Sequence, residues 1–237
     1  MSSLENKKAL VLGGSRGIGA AIVERLAKDG AETVFTYAGS VEAAAALAEK
    51  TGATAIQSDS ADRGAVTKTV ADQGPLDILV VNAGVLVMGD PLDSDPDAVD
   101  HMIDINVRSP YHAAVEAARK MNEGGRIVIL GSVNGDRVPF PGGAAYSLTK
   151  SAVQGLVRGL ARDFGERSIT VNAVQPGPVD TDMNPADGPM KDAMHSFMAI
   201  KRHAKPSEIA GMVAYLVGPE AGIVTGALHT IDGGFGA

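Results

Sequence analysis

The amino-terminal part of the chain holds an apolar run, a glycine-rich turn and an amphipathic segment in immediate succession. The apolar run covers residues 9–12, the turn GGSRGIG covers 13–19, and the amphipathic segment covers 20–28. Glycines let the backbone turn sharply and approach a pyrophosphate closely, and the free N–H groups of a helix start attract its charge. Such a cluster can also be only a tight turn. The strand before it and the helix after it favour a dinucleotide-binding turn and a parallel sheet.

Short β-rich runs alternate with helical runs along the chain, which predicts right-handed βαβ units around a parallel sheet. The runs ILVV and IVIL are apolar throughout, so both faces of the sheet should be covered. Strands are predicted at 8–12, 33–37, 54–57, 78–82, 126–130, 170–174 and 228–231, and helices at 41–50, 97–121, 144–164 and 206–217. We therefore predict one α/β domain over residues 1–237, a doubly wound parallel sheet of about seven strands with helices on both faces.

Composition narrows the function classes. The chain has 237 residues, 45% hydrophobic and only 4% aromatic, so the core should consist mainly of Ala, Val, Ile and Leu. A net charge of −7 argues against binding of a nucleic acid polymer. The absence of cysteine excludes disulfides and thiolate catalysis. We expect no membrane span, no signal peptide and a cytoplasmic location, because the apolar stretch 78–88 is short and interrupted. Scattered histidines without ligand spacing predict no metal site.

Tyr146 and Lys150 stand one helical turn apart in the predicted helix 144–164, so their side chains share a face. A phenol has a pKa near ~10, and an ammonium beside it favours the phenolate. Tyr146 is therefore a candidate general acid or base. The same spacing also occurs on ordinary helices, as a half-exposed ring beside a solvated charge.

Together these motifs resemble those of the short-chain dehydrogenase/reductase family, in family order from about Lys7 to Gly234. The resemblance implies a Rossmann-type fold and usually a homotetramer. It implies a catalytic tetrad of Asn106, Ser132, Tyr146 and Lys150. It also implies cofactor contacts at Gly13, Ser15, Arg16, Gly17, Ile18, Gly19, Tyr37, Ser40, Asp59, Asn82, Ala83, Gly84, Tyr146, Lys150, Pro176, Gly177, Val179 and Thr181.

In the chemistry that the resemblance implies, Ser132 holds a carbonyl oxygen and Tyr146 gives it a proton while the cofactor supplies hydride. Lys150 would bind the nicotinamide ribose and lower the pKa of Tyr146. Asn106 would help to return a proton to the site. Two simpler interpretations stay open: Ser132 as a hydroxyl at a strand end, and Asn106 as a hydrogen-bonding residue at a helix bend.

The cofactor predicted is NADP(H). An enzyme that selects NAD usually has an acid at the end of the second strand, and residues 36–40 contain none. Arg16 could oppose the charge of a 2′-phosphate, with Ser40 as a hydroxyl donor, although Arg16 could equally be a solvated charge. Asp59 matches the family's adenine-contacting acid, or it caps the helix that starts near Asp62.

Two places depart from the family pattern or vary within it. Leu12 stands where a Thr often ties the turn to the sheet, so that hydroxyl is missing. Residues 183–205 are implied to form a variable substrate lid. The methionines and Phe197 of that segment could line an apolar pocket or simply pack. Residues 201–203 form a small cationic group, which could meet an anionic substrate but is more typical of a solvated surface.

Two functions remain open. The first is an NADPH-dependent carbonyl reductase acting on a ketone, aldehyde or 3-oxoacyl compound. The second is suggested by similarity to family members that bind cyclic-di-GMP and promote biofilm dispersal, across 12–21, 36–40, 131–137 and 198–203. Arg16 or Arg137 could then meet a phosphate. An intact tetrad favours catalysis. For assembly, the face of Ala113, Ala114, Ala117 and Ala118 could join subunits or pack within one subunit.

Overall fold

The computed structural model describes residues 3–237 and contains a seven-stranded parallel sheet in the order β3-β2-β1-β4-β5-β6-β7. All six pairings between neighbouring strands are parallel. The strands are β1 (Lys8–Leu12), β2 (Glu32–Tyr37), β3 (Thr54–Gln57), β4 (Ile78–Val81), β5 (Arg126–Leu130), β6 (Thr170–Pro176) and β7 (Leu228–Ile231). Each predicted strand is present, and the bounds differ by at most two residues at an end. The predicted fold class is confirmed.

Eight α-helices connect and cover the strands of the described chain. They are α1 (Gly17–Lys28), α2 (Val41–Thr51), α3 (Arg63–Asp72), α4 (Pro96–Ile103), α5 (Ser109–Lys120), α6 (Ala144–Phe164), α7 (Lys191–Phe197) and α8 (Pro206–Val217). The predicted bounds of α6 and α8 are those observed. Helix α1 begins inside the glycine turn, three residues before the predicted amphipathic segment.

The prediction of one helix over 97–121 was wrong. A π-helical turn at Asp104–Arg108 separates α4 from α5, and the backbone N–H of Ser109 bonds to the carbonyl of Asp104, five residues back. Pro110 gives the physical reason, because it has no N–H for the carbonyl of Asn106, which lies four residues earlier. The extra turn therefore falls where the α-helical ladder lacks a donor.

Two apolar layers hold the helices against the sheet. One face packs on α1, α2 and α8, through residues such as Ile22, Leu47 and Val213. The other face packs on α3, α5 and α6, through residues such as Val66 and Val157. Both faces of the central strands are covered, and burying apolar surface stabilises the fold by about 25 cal/mol per Å². The central strands are therefore apolar throughout, without the alternation typical of a strand that has one exposed face.

The strand order reverses between β1 and β4, because the chain continues from β1 to β2 and β3 on one side and from β4 to β5, β6 and β7 on the other. In open parallel sheets this reversal opens a crevice at the carboxyl ends of the strands, where ligands bind. The glycine turn after β1 and the residues that follow β4 and β5 all lie at this edge. Within residues 3–237, none of the helices combines the length and the apolar character that crossing a bilayer requires.

Candidate active site

The glycine turn is fastened to the strands on both sides of β1. Gly13 has a φ of +76°, which a residue with a side chain rarely adopts. Its N–H donates to Thr36 Oγ1 at 2.9 Å, and its carbonyl accepts from Asn82 Nδ2 at 2.7 Å. The hydroxyl that Leu12 cannot offer is therefore supplied by Thr36 on β2. This is a role that the sequence analysis missed.

Close contacts leave little or no room for a side chain at two glycines of the turn. A Cβ on Gly19 would lie 2.1 Å from the Gly13 carbonyl oxygen and 2.6 Å from Asn82 Nδ2. A Cβ on Gly17 would lie 3.3 Å from Thr181 Cγ2, so the turn after β6 reaches over the glycine turn. The 13–19 turn therefore contacts Asn82, which follows β4, and Thr181, which follows β6, and all three were expected at the cofactor site.

The residues expected at the adenosine end surround the ends of β2 and β3. Arg16 is exposed at the start of α1 and its side chain does not cap that helix. Ser40 precedes α2 and likewise makes no capping bond. Asp59 Oδ1 accepts from the N–H of Ala61 at 2.9 Å. The cap of α3 is Asp62, which accepts from two backbone N–H groups, so the helix-cap interpretation of Asp59 was wrong.

Ser132, Tyr146 and Lys150 come together at the carboxyl end of β5. Ser132 follows that strand, is buried, and accepts from the N–H of Asn134 at 3.1 Å. Tyr146 lies in the first turn of α6, one turn before Lys150. The buried Lys150 Nζ donates to the carbonyl of Leu130 at 3.1 Å and lies 5.6 Å from the centre of the Tyr146 ring. The helix and the strand end thus converge on one small volume.

Burial dominates the ionisation of this pair. It raises the pKa of Tyr146 above its ordinary value, and the Ser132 hydroxyl acts in the opposite direction through a weaker effect. Burial also lowers the pKa of Lys150 to about 8. The net shift of the Tyr146 pKa is therefore upward, and the lowering expected from Lys150 stays a prediction. Desolvation of the phenolate outweighs the stabilising interactions, although the residue as a whole keeps some exposed surface.

Asn106 lies in the π-helical turn and is held on several sides. Its Oδ1 accepts from the N–H of Val85 at 2.9 Å, and its Nδ2 donates to the Val85 carbonyl at 2.9 Å and to Thr149 Oγ1 at 3.1 Å. The buried Thr149 donates in turn to the Tyr146 carbonyl at 2.8 Å. Thr149 was missed by the sequence analysis, where its only signal is a polar residue between Tyr146 and Lys150.

Residues 183–205 include α7 and meet the loop after Ser132. Phe197 contacts Phe140 and Phe235, with ring centres 5.2 Å and 5.9 Å apart. The Arg137 guanidinium lies 5.6 Å from the Phe197 ring and donates to the carbonyls of Phe235 and Ala237. Arg137 is thus bonded to the carboxyl-terminal segment.

Two of the three cationic residues at 201–203, Lys201 and Arg202, are exposed as expected of a solvated surface, whereas His203 is not. Arg202 makes two bonds of 2.7 Å to Glu208, and Lys201 Nζ donates to the Ser196 carbonyl at 3.1 Å. His203 is buried and bonds to His195 at 2.9 Å. The pKa of His203 is lowered, first by burial. Across residues 3–237, no group of three or more His, Asp or Glu side chains could hold a metal ion.

Comparisons with known proteins agree with this geometry. The family described as enoyl-(acyl carrier protein) reductase matches residues 13–236. The cyclic-di-GMP-binding biofilm dispersal mediator protein of Escherichia coli is 64% identical over 237 residues, which is 100% of both chains. The 3-oxoacyl-(acyl-carrier-protein) reductase MabA of Mycobacterium bovis is 35% identical, over 98% of this chain and 93% of its own length.

Among solved structures, BdcA in complex with NADPH superposes with a TM-score of 0.98 at 64% identity, covering 99% of this chain and 96% of that one. The relatives and the family match span nearly the whole chain, so they apply to the glycine turn and to the Ser132–Tyr146–Lys150 cluster alike. The chain therefore belongs to the short-chain dehydrogenase/reductase family.

Proposed function

We propose that this protein is an NADPH-dependent oxidoreductase that reduces a carbonyl group, with Tyr146 as its general acid. The observation that carries the proposal is the buried Lys150, whose Nζ is held by the Leu130 carbonyl beneath Tyr146 and beside the end of β5. Burying an ammonium is costly, and here the structure retains it next to a phenol. Perturbed groups of this kind cluster at functional sites.

The residues at the crevice fit a dinucleotide phosphate. The N–H groups at the start of α1 receive no side-chain cap, and Arg16 is exposed there. Residues 36–40 bring no carboxylate that would repel a 2′-phosphate. NADPH is the ligand of the closely similar BdcA structure. We therefore propose NADPH for this chain, which when bound supplies the hydride.

The chain's own residues would handle the proton and the oxygen. The Ser132 hydroxyl would donate a hydrogen bond to the carbonyl oxygen of the substrate. Because the pKa of Tyr146 is raised, the phenol is protonated at neutral pH and can give its proton to that oxygen as the alcohol forms. Lys150 would hold ribose hydroxyls and stabilise the phenolate left behind. Asn106 would fix the Val85 backbone and the start of α6 around them.

The experiment that tests this function measures NADPH oxidation with a panel of ketones, aldehydes and 3-oxoacyl compounds. Tyr146→Phe should lower kcat by about 10²-fold or more, because it removes the transferable proton. Tyr215→Phe, on the exposed side of α8, is the matched control and should keep the activity. Equal turnover in a folded, NADPH-binding Tyr146→Phe protein would refute the assignment. Tighter binding of NADH than of NADPH would refute the cofactor.

A second function is favoured by one specific observation, the 64% identity to the cyclic-di-GMP-binding protein of Escherichia coli. Arg16 is the exposed cation that could meet a phosphate in the crevice, whereas Arg137 is bonded to the carboxyl-terminal carbonyls. Binding of cyclic-di-GMP that competes with NADPH, in a protein that reduces none of the panel, would support a sensor and contradict the reductase.

We also propose a lid and a homotetramer. The lid is the segment 183–205, which contacts the loop after Ser132 through Phe197.

For assembly, Ala113, Ala114, Ala117 and Ala118 are buried within the subunit and are not available as a contact face. The exposed Tyr111 and Leu148 on α5 and α6 would pair subunits instead. Light scattering of Leu148→Glu against the native protein tests this, since a native monomer contradicts it.

A further inference from the structure

The rim of the crevice around Tyr146 is apolar. A Cβ on Gly143, the residue before α6, would lie 2.9 Å from Val138 Cγ1 and 3.6 Å from Met88 Cε, so both side chains adjoin the turn that carries Tyr146. Val138 is 46% and Met88 45% exposed, although large apolar side chains are usually covered. The 85–89 strip is tied there by the bond from the Gly89 N–H to the Gly142 carbonyl, 3.1 Å long.

The lid extends this apolar rim. Phe197, 36% exposed, contacts Phe140 edge to face, and Phe140 lies in the loop that also carries Val138. Met190, at the start of α7, is 45% exposed. Apolar side chains exposed together on three converging segments mark a surface that binds an apolar ligand. We call Met88, Val138, Met190 and Phe197 the apolar rim.

The chain segments next to the apolar rim in sequence are acidic. The segment 89–100 carries five aspartates and no lysine or arginine, and all five are exposed. The segment 180–192 carries four exposed aspartates and one lysine, Lys191. The first segment follows residues 85–89, which carry Met88, and the second leads into α7, which carries Phe197. Their combined field repels an anion that approaches from the substrate side.

The nearby cations offset only part of this field, because nine aspartates stand against Lys191, Lys201 and Arg137. Arg202 is neutralised by two bonds to Glu208, Lys201 is bonded to the Ser196 carbonyl, and His203 is buried against His195. Arg137 is engaged by the carboxyl-terminal carbonyls. Lys191 is exposed but follows Asp187 and precedes Asp192. The carrier thioesters that some relatives reduce are anionic through their phosphate groups, and they would meet no free basic cluster here.

From the apolar rim and the acidic segments we infer that the substrate is an uncharged, apolar carbonyl compound, and neither an anionic carrier thioester nor a nucleotide. This inference rests on the proposed reductase function and narrows it. The apolar rim would bury the groups on either side of the carbonyl carbon, and its flexible methionines would accept more than one shape. The acidic segments would set the selection against anions.

The test uses two ketones with the same skeleton, acetophenone and 4-acetylbenzoate, and compares kcat/KM for NADPH oxidation. We expect the neutral ketone to be preferred by about tenfold or more, with the preference falling as salt is added. Val138→Lys places a cation on the apolar rim and should reduce the preference by about threefold or more. Ala45→Lys adds the same charge on the exposed face of α2, away from the rim, and should leave the ratio unchanged.

Equal or better turnover of 4-acetylbenzoate overturns the substrate class while the reductase function stands. If neither ketone is reduced, saturation-transfer NMR of the two compounds on the NADPH complex still decides the question. Binding of acetophenone alone supports an apolar, uncharged ligand even then, and only the proposed reaction fails. Binding of 4-acetylbenzoate as tight as that of acetophenone contradicts the inference.

Discussion

His195 Nε2 and His203 Nδ1 lie 2.9 Å apart, and this hydrogen bond joins α7 of the proposed lid to the segment that leads into α8. His203 is buried and its other ring nitrogen, Nε2, has no partner within the described chain. An N–H at that position would be a buried unpaired donor, which costs about 1–3 kcal/mol. The proton of His203 therefore belongs on Nδ1, which donates to His195.

This arrangement predicts that acid loosens the lid. Burial lowers the pKa of His203, with His195 and Lys191 acting in the same direction and Asp180 against it. A histidine with a depressed native pKa contributes fully above its unfolded value of about 6.5, and that stability is lost as the pH falls through and below this value. Hydrogen exchange of 191–197, corrected for intrinsic rates, should be faster at pH 5.5 than at pH 7.5.

His203→Asn separates the titration of His203 from other effects of acid, because an amide N–H can still donate to His195 but the amide takes up no proton. Its lid should exchange at nearly the same corrected rate at both pH values. His101→Gln, an exposed histidine on α4, should behave as the native protein does. A native lid that exchanges equally at both pH values, or a His203→Asn lid that keeps the full acid response, would show that protonation of His203 does not control it.

The buried Lys150 ammonium should lower the free energy of unfolding, although the proposed function requires it. Its pKa falls from 10.5 to about 8 on burial, equivalent to about 3 kcal/mol at ~1.4 kcal/mol for each pKa unit. The cost is complete below pH 8 and disappears as the pH rises towards 10.5, where the unfolded chain also loses the proton. Replacement by Met removes the cost but leaves the Leu130 carbonyl without its donor, about 1–3 kcal/mol.

We therefore expect Lys150→Met to be more stable than the native protein at pH 7 without cofactor, by about 1–2 kcal/mol, and to be inactive. Urea unfolding at a fixed subunit concentration measures the difference. The advantage should shrink between pH 8 and pH 10. A variant that unfolds at lower urea than the native protein at pH 7 would mean that the ammonium contributes net stability here.

Gly19 and Gly159 form a matched pair for testing the glycine turn. A Cβ on Gly19 would collide with the Gly13 carbonyl oxygen at 2.1 Å, whereas a Cβ on Gly159, in α6, would meet nothing within 4 Å. Gly19→Ala should lower the free energy of unfolding by about 1–3 kcal/mol and weaken NADPH binding at least tenfold. Gly159→Ala should be neutral or stabilising by up to about 1 kcal/mol. Similar NADPH affinities in the two variants would count against the turn as the phosphate site.

The fold was largely predictable because its information is local. Apolar runs without alternation gave the central strands, and the spacing of Tyr146 and Lys150 gave a shared face within α6. The π-helical turn at Asp104–Arg108 was missed, although Pro110 is visible in the sequence. The sequence alone does not show whether the missing N–H of one proline outweighs a long helical pattern. The ionisation of Tyr146 was also missed, since burial depends on residues distant in sequence. Thr36 illustrates the same limit, since its contact with Gly13 spans two strands.

The hydrogen bond between Thr36 and Gly13 can be tested by substitution. Thr36 Oγ1 accepts from the N–H of Gly13 at 2.9 Å and is buried, so Thr36→Val leaves this N–H without a partner beside a side chain of nearly the same volume. We expect a loss of about 1–3 kcal/mol in unfolding free energy and weaker NADPH binding, measured by urea unfolding and fluorescence titration. Thr36→Ser keeps the hydroxyl and should retain most of the NADPH affinity. If Thr36→Val and Thr36→Ser bind NADPH equally well, the Thr36 hydroxyl does not hold the turn. Another group would then replace the hydroxyl that is missing at Leu12.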